Sequence, residues 1–482
     1  MPQTMLHRSR LPLLGIAAIV GLAACDNDND SAPVINLPPA TAEVRVIHAS
    51  PDAPAVNVSL NGTVAISDLD YGESSGYATV DAADYDIVVE GIIPGGNADV
   101  ITVNAFPLPR NARATVLAVG DVANIAALPV DESATTPTST QVSVAVVHAA
   151  PAAPTVDIFV TDPAADITGM MPTATLSFEE SADAGSLSAG PVRIRATAGG
   201  NVVYDTGTVD LASFAGNRLF IAAIATTTAT EQAASPIKLL VATDTDAVTL
   251  LDAGTQVGAK VVHASPDAGT AAGGPVEVFA TSAALGADPV ELIDAFAYTD
   301  IVPAADTYVA VPAGDYVFDV APNTDTIGDS VFTSGSLTLG AGQDFTVIAA
   351  GRVAATPAFT LLVAADDNRP VATEARVKVI HAAPAAGTVD VYVTPAGTLS
   401  VADAENGNAM PLLDDFEFGT VTPEPVAVAP GDYDIRVVAG GSAAINIEGF
   451  TLAAGTAANV IARGPLEPAG APTDFSVIVT TN

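Results

Sequence analysis

The chain has 482 residues, with 55 acidic against 16 basic side chains, a formal net charge of −39, one cysteine and no tryptophan. Its length predicts about three domains at about 150 residues each, and 49% apolar with 15% charged residues is typical of a folded chain. The excess of acids repels phosphate, so nucleic acid is not expected as a partner. One cysteine closes no intramolecular disulfide, and the sequence offers no Cys/His cluster for a structural zinc.

The first 24 residues have the pattern of a signal peptide. Arg8 and Arg10 form a basic start, and the apolar stretch 11–24 is shorter than the roughly 20 residues of a membrane-spanning helix. The stretch leads into Leu-Ala-Ala-Cys at 22–25, which resembles the lipobox of bacterial lipoproteins. The resemblance implies cleavage after residue 24 and acylation of Cys25. The alternative is an ordinary secretory signal with an incidental cysteine.

Residues 25–41 are predicted to be an acidic, proline-containing tether behind the lipidated Cys25. Two or three acyl chains are enough for stable membrane attachment, and an acidic chain is repelled by anionic lipids. We therefore expect membrane contact through the lipid alone, at the cell envelope. Asp26 directly after the cysteine resembles an inner-membrane retention signal of enteric bacteria. The outer membrane, the cell surface and the periplasmic face of the inner membrane therefore all stay open as locations.

One short string occurs four times, which indicates an internal repeat. It reads VRVIHASP at 44–51 and VKVIHAAP at 377–384, with close variants at 144–151 and 259–266. Its histidines and prolines are His48 and Pro51, His148 and Pro151, His263 and Pro266, and His381 and Pro384. The copies predict four modules at residues 42–133, 141–247, 257–367 and 375–482.

Each copy has the pattern of short antiparallel strands. Runs of β-branched residues alternate with period two and are separated by turns rich in Gly, Pro, Asp and Asn. Several such strands in a module of about 100 residues predict a β-sandwich, and the predicted fold class is all-β, immunoglobulin-like. No cysteine pair or core tryptophan is present to indicate an antibody-type topology.

The repeated string resembles the opening of the bacterial family known as domain of unknown function 4397, whose modules begin with a VRVIHASPDAP-like sequence. The resemblance covers residues 42–482 as four copies and is most specific at the His-Ala-Ser/Ala-Pro corner. It implies a secreted or envelope-anchored β-module and brings no established activity. Copies two and four depart from the family string, with Ala152 and Ala385 after the proline.

The repeated histidine is predicted to be structural. Alternation along a strand places Val44, Val46 and His48 on one face and the charged Arg45 on the other. In the later copies Lys260 and Lys378 likewise lie on the face opposite the histidine. A histidine that ends an apolar face before a proline turn is expected to donate to a backbone carbonyl across that turn.

A metal site at these corners is the alternative, and it requires further ligands near each ring. Asp52 and Asp267 are candidates, but Ala152 and Ala385 replace them in the other copies. The sequence contains no pattern of a catalytic triad, a phosphate-binding loop or a zinc peptidase. We therefore predict no catalytic residue, no metal and no cofactor.

The second strand of each copy carries a polar residue and an aromatic residue on its outward face. An acid and an aromatic in that position predict either an interface element or side chains covered by a neighbouring loop. The polar residues are Asn57, Asp157, Glu277 and Asp390, and the residues two positions later are Ser59, Phe159, Phe279 and Tyr392. Three pairs of adjacent acids are expected to be solvated turns: Glu179-Glu180, Asp366-Asp367 and Asp414-Asp415.

Together these features predict a lipid-anchored, non-enzymatic envelope protein with four modules in series. It is expected to act as a scaffold, stalk or binding surface for a protein or cell-surface partner. The alternative is a ligand- or metal-binding lipoprotein that uses the repeated histidine corners.

Overall fold

Period-two alternation of β-branched residues folds most of the described chain into strands. The computed structural model describes residues 39–132, 137–268, 275–286, 288–324, 326–353, 355–465 and 474–481. The signal peptide, Cys25 and the tether up to residue 38 lie outside these residues, as does the glycine-rich insertion at 269–274. From Ala40 to Asn482 the chain forms one compact unit.

The strands fall into four modules that follow the four copies of the repeated string. Module 1 contains β1 (Thr41–His48), β2 (Val56–Leu60), β3 (Thr63–Leu69), β4 (Ala78–Asp81), β5 (Ala83–Gly91), β6 (Ala98–Leu108), β7 (Arg113–Val119) and β8 (Ala126–Asp131). Module 2 contains β9 (Gln141–His148), β10 (Val156–Thr161), β11 (Ala174–Leu176), β12 (Ser181–Ser188), β13 (Pro191–Ala198), β14 (Asn201–Asp205), β15 (Val209–Asp210), β16 (Arg218–Ala225), the helix α1 (Ala229–Ala234), β17 (Ile237–Ala242) and β18 (Ala247–Leu250).

Modules 3 and 4 are also built mainly from strands. Module 3 contains β19 (Val257–His263), β20 (Val276–Thr281), β21 (Val290–Phe296), β22 (Ile301–Val302), β23 (Val309–Val311), β24 (Gly314–Pro322), β25 (Phe332–Thr333), β26 (Leu337–Leu339), β27 (Asp344–Ala350) and β28 (Thr360–Asp366). Module 4 contains β29 (Ala375–His381), β30 (Val389–Pro395), the helix α2 (Val401–Glu405), β31 (Leu413–Phe416), β32 (Val426–Val428), β33 (Gly431–Ala439), β34 (Ser442–Leu452), β35 (Ala457–Arg463) and β36 (Ser476–Thr481). Single 3-10 turns occur at Val122–Asn124, Ala212–Phe214, Ala283–Leu285 and Ile327–Asp329.

Each module is a sandwich of two sheets. In module 1 one sheet has the strand order β4-β1-β7-β8 and the other β3-β2-β5-β6. The strand that carries the histidine pairs in parallel with a later strand: β1 with β7, β9 with β16, β19 with β27 and β29 with β35. We call the sheet with this parallel pair the histidine sheet and the other the second sheet. The all-β sandwich fold predicted from the sequence is confirmed.

The core of each module lies between its two sheets. In module 1 Val46 of the histidine sheet packs against Val56, Val58 and Ile87 of the second sheet. Each fully buried aliphatic side chain of this kind contributes about 1.5–3 kcal/mol to folding. The alternation predicted for β1 is the one observed, with Val44, Val46 and His48 turned into the module.

The outer face of each histidine sheet is buried as well, because the modules pack in pairs. Ile47 and Leu117 of module 1 share one apolar cluster with Phe220 and Ile224 of module 2. The strand face opposite His48 carries the charged Arg45, as expected from the sequence. This face lies inside the interface between modules 1 and 2.

Modules 3 and 4 pair in the same way. Val262 and Ile348 of module 3 pack against Ile380 and Ile461 of module 4. Two face-to-face pairs therefore replace the arrangement of separate modules in series that was expected from the sequence.

Polar contacts between described residues join the two pairs. Arg369, between β28 and β29, donates to the carbonyl of Ala53 at 2.6 Å and pairs with Asp70 at 2.6 Å, both in module 1. Thr230 of α1 in module 2 donates to the Asp344 carboxylate at the start of β27 in module 3. Polar contacts thus fix the second pair against the first.

Candidate functional sites: the histidine corners and an acidic cluster

The repeated histidine uses both ring nitrogens inside its own module. In module 1 Nε2 of His48 donates to the carbonyl of Pro54 at 2.9 Å, and Nδ1 accepts from the backbone N–H of Ser50 at 3.3 Å. His148 repeats both contacts, with the Pro154 carbonyl at 3.0 Å and the Ala150 N–H at 3.4 Å.

His381 of module 4 makes the same two bonds, to the Gly387 carbonyl at 2.8 Å and from the Ala383 N–H at 3.3 Å. His263 of module 3 is equally buried, but the residue six positions later lies outside the described part of the chain. The prolines of the motif, Pro51, Pro151, Pro266 and Pro384, occupy the turn that follows each ring.

These bonds fix the chemistry of the rings. A carbonyl only accepts and an N–H only donates, so the three rings are neutral with the proton on Nε2. Burial lowers the pKa of His48 and that of His263 to about 4, and it also lowers the pKa of His381. A metal needs a lone pair on a ring nitrogen, and in His48, His148 and His381 the Nδ1 lone pair already accepts a backbone N–H.

A turn led by an aromatic residue closes every corner, and sequence analysis did not predict it. We call this segment the aromatic turn. The aromatic ring packs edge-on against the histidine with centroids 6.0–6.5 Å apart in the pairs His48–Tyr71, His148–Phe178, His263–Tyr298 and His381–Phe418. The histidine carbonyl accepts at 2.8–2.9 Å from the N–H that follows the aromatic residue, in Gly72, Glu179, Thr299 and Gly419.

The residue after the aromatic has a left-handed backbone in all four modules. Its φ is +75° at Gly72, +69° at Glu179, +77° at Thr299 and +86° at Gly419. Glycine tolerates this conformation, whereas in other residues it is sterically unfavourable. An aromatic residue followed by glycine is the signal that marks this turn in modules 1 and 4, but its distance from the histidine changes between copies.

The acids that follow the proline serve the backbone. Asp52 accepts from the N–H of Val122 at 2.7 Å, and Asp267 accepts from the N–H of Val353 at 2.8 Å. Both contacts tie the corner to the loop after the parallel partner strand. The two acids proposed as metal ligands therefore act as caps for that loop.

The charged residue opposite the histidine lies at the centre of each pair's interface. In module 1 the Arg45 side chain is 1% exposed and pairs with Glu132, itself 5% exposed, at 2.9 Å. It also donates to Thr115 at 2.7 Å and to the carbonyl of Thr243 in module 2 at 2.6 Å, and its guanidinium lies 4.5 Å from the Tyr77 ring centre. A buried charge requires this degree of pairing.

Lys260 occupies the equivalent place in module 3. Its ammonium donates to the carbonyls of Ala305 at 2.8 Å and of Thr481 in module 4 at 3.2 Å, and it lies 4.2 Å from the Tyr308 ring centre. Burial lowers the pKa of Lys260 to about 8. Lys378 of module 4 donates to the carbonyl of Ala365.

Asp366 is part of this interface, and its assignment to a solvated turn was wrong. Its carboxylate accepts from Tyr308 at 2.7 Å, Thr346 at 2.6 Å and Asn459 of module 4 at 2.8 Å. Burial raises the pKa of Asp366 despite these bonds. The charge of the Asp366 side chain therefore did not indicate that it is exposed to solvent.

Three acids of module 4 converge although two of them are neighbours in sequence. The carboxylate oxygens of Asp390, Asp414 and Asp415 lie within 4.8 Å of one another. Alternation would place Asp414 and Asp415 on opposite faces, but a bulge in β31, with φ of +48° at Asp415, breaks it. Desolvation, then the neighbouring carboxylates, raises the pKa of Asp414. Asp390 already accepts from the Asp415 N–H at 3.0 Å, so the cluster supports the bulge.

The outward aromatic residues of the second strand are covered. Phe159, Phe279 and Tyr392 are all buried, and Tyr392 packs against Leu399 and Ala404 in the segment that contains α2. Of the two possibilities predicted for these aromatics, the structure shows side chains covered by neighbouring segments and not an exposed interface.

No helix in the described ranges is long and apolar enough to cross a membrane.

Comparison with known proteins identifies a family and little else. The family described as "Domain of unknown function (DUF4397)" matches residues 42–159 and 260–392, which begin in modules 1 and 3 and end in the second strands of modules 2 and 4. No curated protein matches the chain.

Two solved structures are distantly similar. The Bacillus anthracis TIE protein has 9% identity and a TM-score of 0.15, and the likeness covers 87% of this chain and 67% of that one. A putative cell adhesion protein from Bacteroides fragilis has 10% identity and a TM-score of 0.13, over 47% of this chain and 97% of that one. At these scores neither likeness bears on function.

Proposed function

This chain belongs to the DUF4397 family, a domain of unknown function, and on that premise we propose that it is a non-catalytic scaffold of the bacterial cell envelope. The observation that carries the proposal is the use of the repeated polar residues. Three corner histidines use both nitrogens to bind their own backbone, and Asp52 and Asp267 cap loops. A histidine ring whose two nitrogens are both used within the fold stabilises the fold and is not placed to act on a substrate.

The paired packing supports a scaffold of fixed shape. Buried apolar clusters join modules 1 and 2 and modules 3 and 4, and Arg369 ties the second pair to module 1. Relative motion of modules would expose these clusters to water. A scaffold of this kind would offer an acidic surface of fixed shape to a protein or cell-surface partner.

The lipid on Cys25 is the proposed attachment. The Leu-Ala-Ala-Cys sequence and the single cysteine of the chain support it. The test compares wild type with Cys25→Ser, with and without globomycin, by membrane fractionation and gel mobility. We expect the wild type in the membrane fraction and the variant released. Identical fractionation and mobility of the two would contradict the anchor.

Titration calorimetry separates a scaffold from a metal-binding protein. Zinc, nickel and copper are titrated into the purified protein at neutral pH, with His148→Ala as the matched variant. We expect no stoichiometric binding at the corners, because a metal on Nδ1 would have to displace the backbone N–H that this nitrogen accepts, and a metal on Nε2 would have to displace its proton and the bond to the carbonyl. Stoichiometric binding that is lost in His148→Ala would overturn the scaffold assignment in favour of metal binding.

A further inference from the structure

The three methionines in the described part of the chain all lie on the surface. Met170 is 46% exposed, Met171 88% and Met410 92%. Methionine is among the residue types most often buried. The apolar clusters of the described modules are instead built from alanine, valine, leucine, isoleucine and aromatic side chains.

The exposed methionines occupy equivalent loops. Met171-Pro172 lies between β10 and β11, and Met410-Pro411 lies between β30 and β31. Each loop joins the second and third strands of the second module in its pair. The same placement in both pairs indicates a feature of the fold and not one stray side chain.

Other oxidisable side chains are scarce or covered. The chain has no tryptophan, and its one cysteine, at position 25, lies outside the described residues. The tyrosines of the described ranges are buried or half-buried, and the four corner histidines are buried. In the described part of the chain, an oxidant arriving from solution therefore meets the thioether sulfurs first.

We propose that Met170, Met171 and Met410 are oxidation sites at which the folded protein consumes peroxides or hypohalous acids. The sulfur takes one oxygen atom from hydrogen peroxide, whose O–O bond breaks, and water leaves. With hypochlorous acid the O–Cl bond breaks, and chloride and a proton leave. In both cases the sulfur loses two electrons and the oxidant gains them. The sulfoxide stays in solvent, so the core and the stability of the fold are unaffected.

The test treats the purified full-length protein with increasing hydrogen peroxide or hypochlorous acid. Peptide mapping by mass spectrometry locates the added oxygen, and thermal melting follows the fold. We expect one oxygen at each of the three methionines before modification of any other described residue, with an unchanged melting temperature. A triple variant, Met170→Leu, Met171→Leu and Met410→Leu, should lose these three oxygen additions and consume less oxidant than the wild type.

Leu117→Met is the matched buried control, since Leu117 is fully buried between modules 1 and 2. Its sulfur should resist oxidation until the three exposed methionines have reacted, and its oxidation should lower the melting temperature. Tyrosine modification before methionine, wild-type oxidant consumption by the triple variant, or melting that falls as the three sites react would each overturn the proposal.

Discussion

The ion pair between Arg45 and Glu132 should couple the fold of module 1 to its contact with module 2. Both side chains are withdrawn from water, at 1% and 5% exposure, and Arg45 also holds the Thr243 carbonyl of module 2. Removing one member of a buried pair leaves the other charge without its counterion, which costs about 3–5 kcal/mol. We therefore expect Arg45→Met and Glu132→Met each to lower the free energy of unfolding by about that amount.

The double variant should recover most of the loss. With both charges replaced by apolar groups of similar volume, no buried charge remains, and such replacements are often neutral. The summed loss of unfolding free energy in the two single variants would then exceed the loss in the double variant by about 3 kcal/mol or more.

The assay is urea unfolding followed by far-ultraviolet circular dichroism, with hydrogen exchange of β1 and β7 to locate the change. The pair Arg193–Asp205 is the matched control, because its side chains are 35% and 21% exposed. Breaking this half-exposed pair should cost less than breaking the buried one, about 1 kcal/mol. Additive losses in the Arg45 and Glu132 variants would refute the account of a coupled buried pair.

Three further predictions concern the corners and the contact between pairs. Burial lowers the pKa of His48 to about 4, so between pH 6.5 and 4 the unfolded chain binds a proton that the folded chain does not. The His48 contribution to the free energy of unfolding should therefore fall by about 3 kcal/mol as the pH drops through that range. Urea unfolding at a series of pH values measures this, and a His48→Gln variant with the wild-type pH dependence would contradict it. Thr299 is a β-branched residue with a left-handed backbone, a conformation that costs about 1 kcal/mol. Thr299→Gly should therefore raise the melting temperature, and Gly419→Thr should lower it. Shifts of the same sign and size in the two variants would refute the strain argument. Arg369→Ala should increase hydrogen exchange at 49–54 by removing its bonds to Ala53 and Asp70, whereas wild-type protection of that segment in the variant would deny the contact between pairs.

The sandwich fold and the inward face of the histidine strand followed from period-two alternation, because both depend on local sequence. The pairing of modules did not follow. Arg45, Ile47 and Ala49 share the outer face of the strand, and alternation alone does not say what covers that face. Arg45 is neutralised by Glu132 from the far end of the module, a contact that sequence separation conceals.

The aromatic turn escaped prediction for a related reason. Tyr71 and Phe418 hold equivalent positions against their histidines, but loops of different length separate each aromatic from its corner. The convergence of Asp414 and Asp415 was missed because a single left-handed residue reverses the alternation on which the assignment of faces depends. Backbone irregularities of this kind leave little trace in residue type.

Long-range ¹H–¹⁵N correlation spectra of the histidine rings give the most direct measurement. The chain has five histidines, so the signals are few. At neutral pH His48, His148 and His381 should each be neutral with the proton on Nε2, and excess zinc should leave their ring shifts unchanged. A proton on Nδ1, or ring signals that move stoichiometrically with zinc, would contradict corners closed within their own modules.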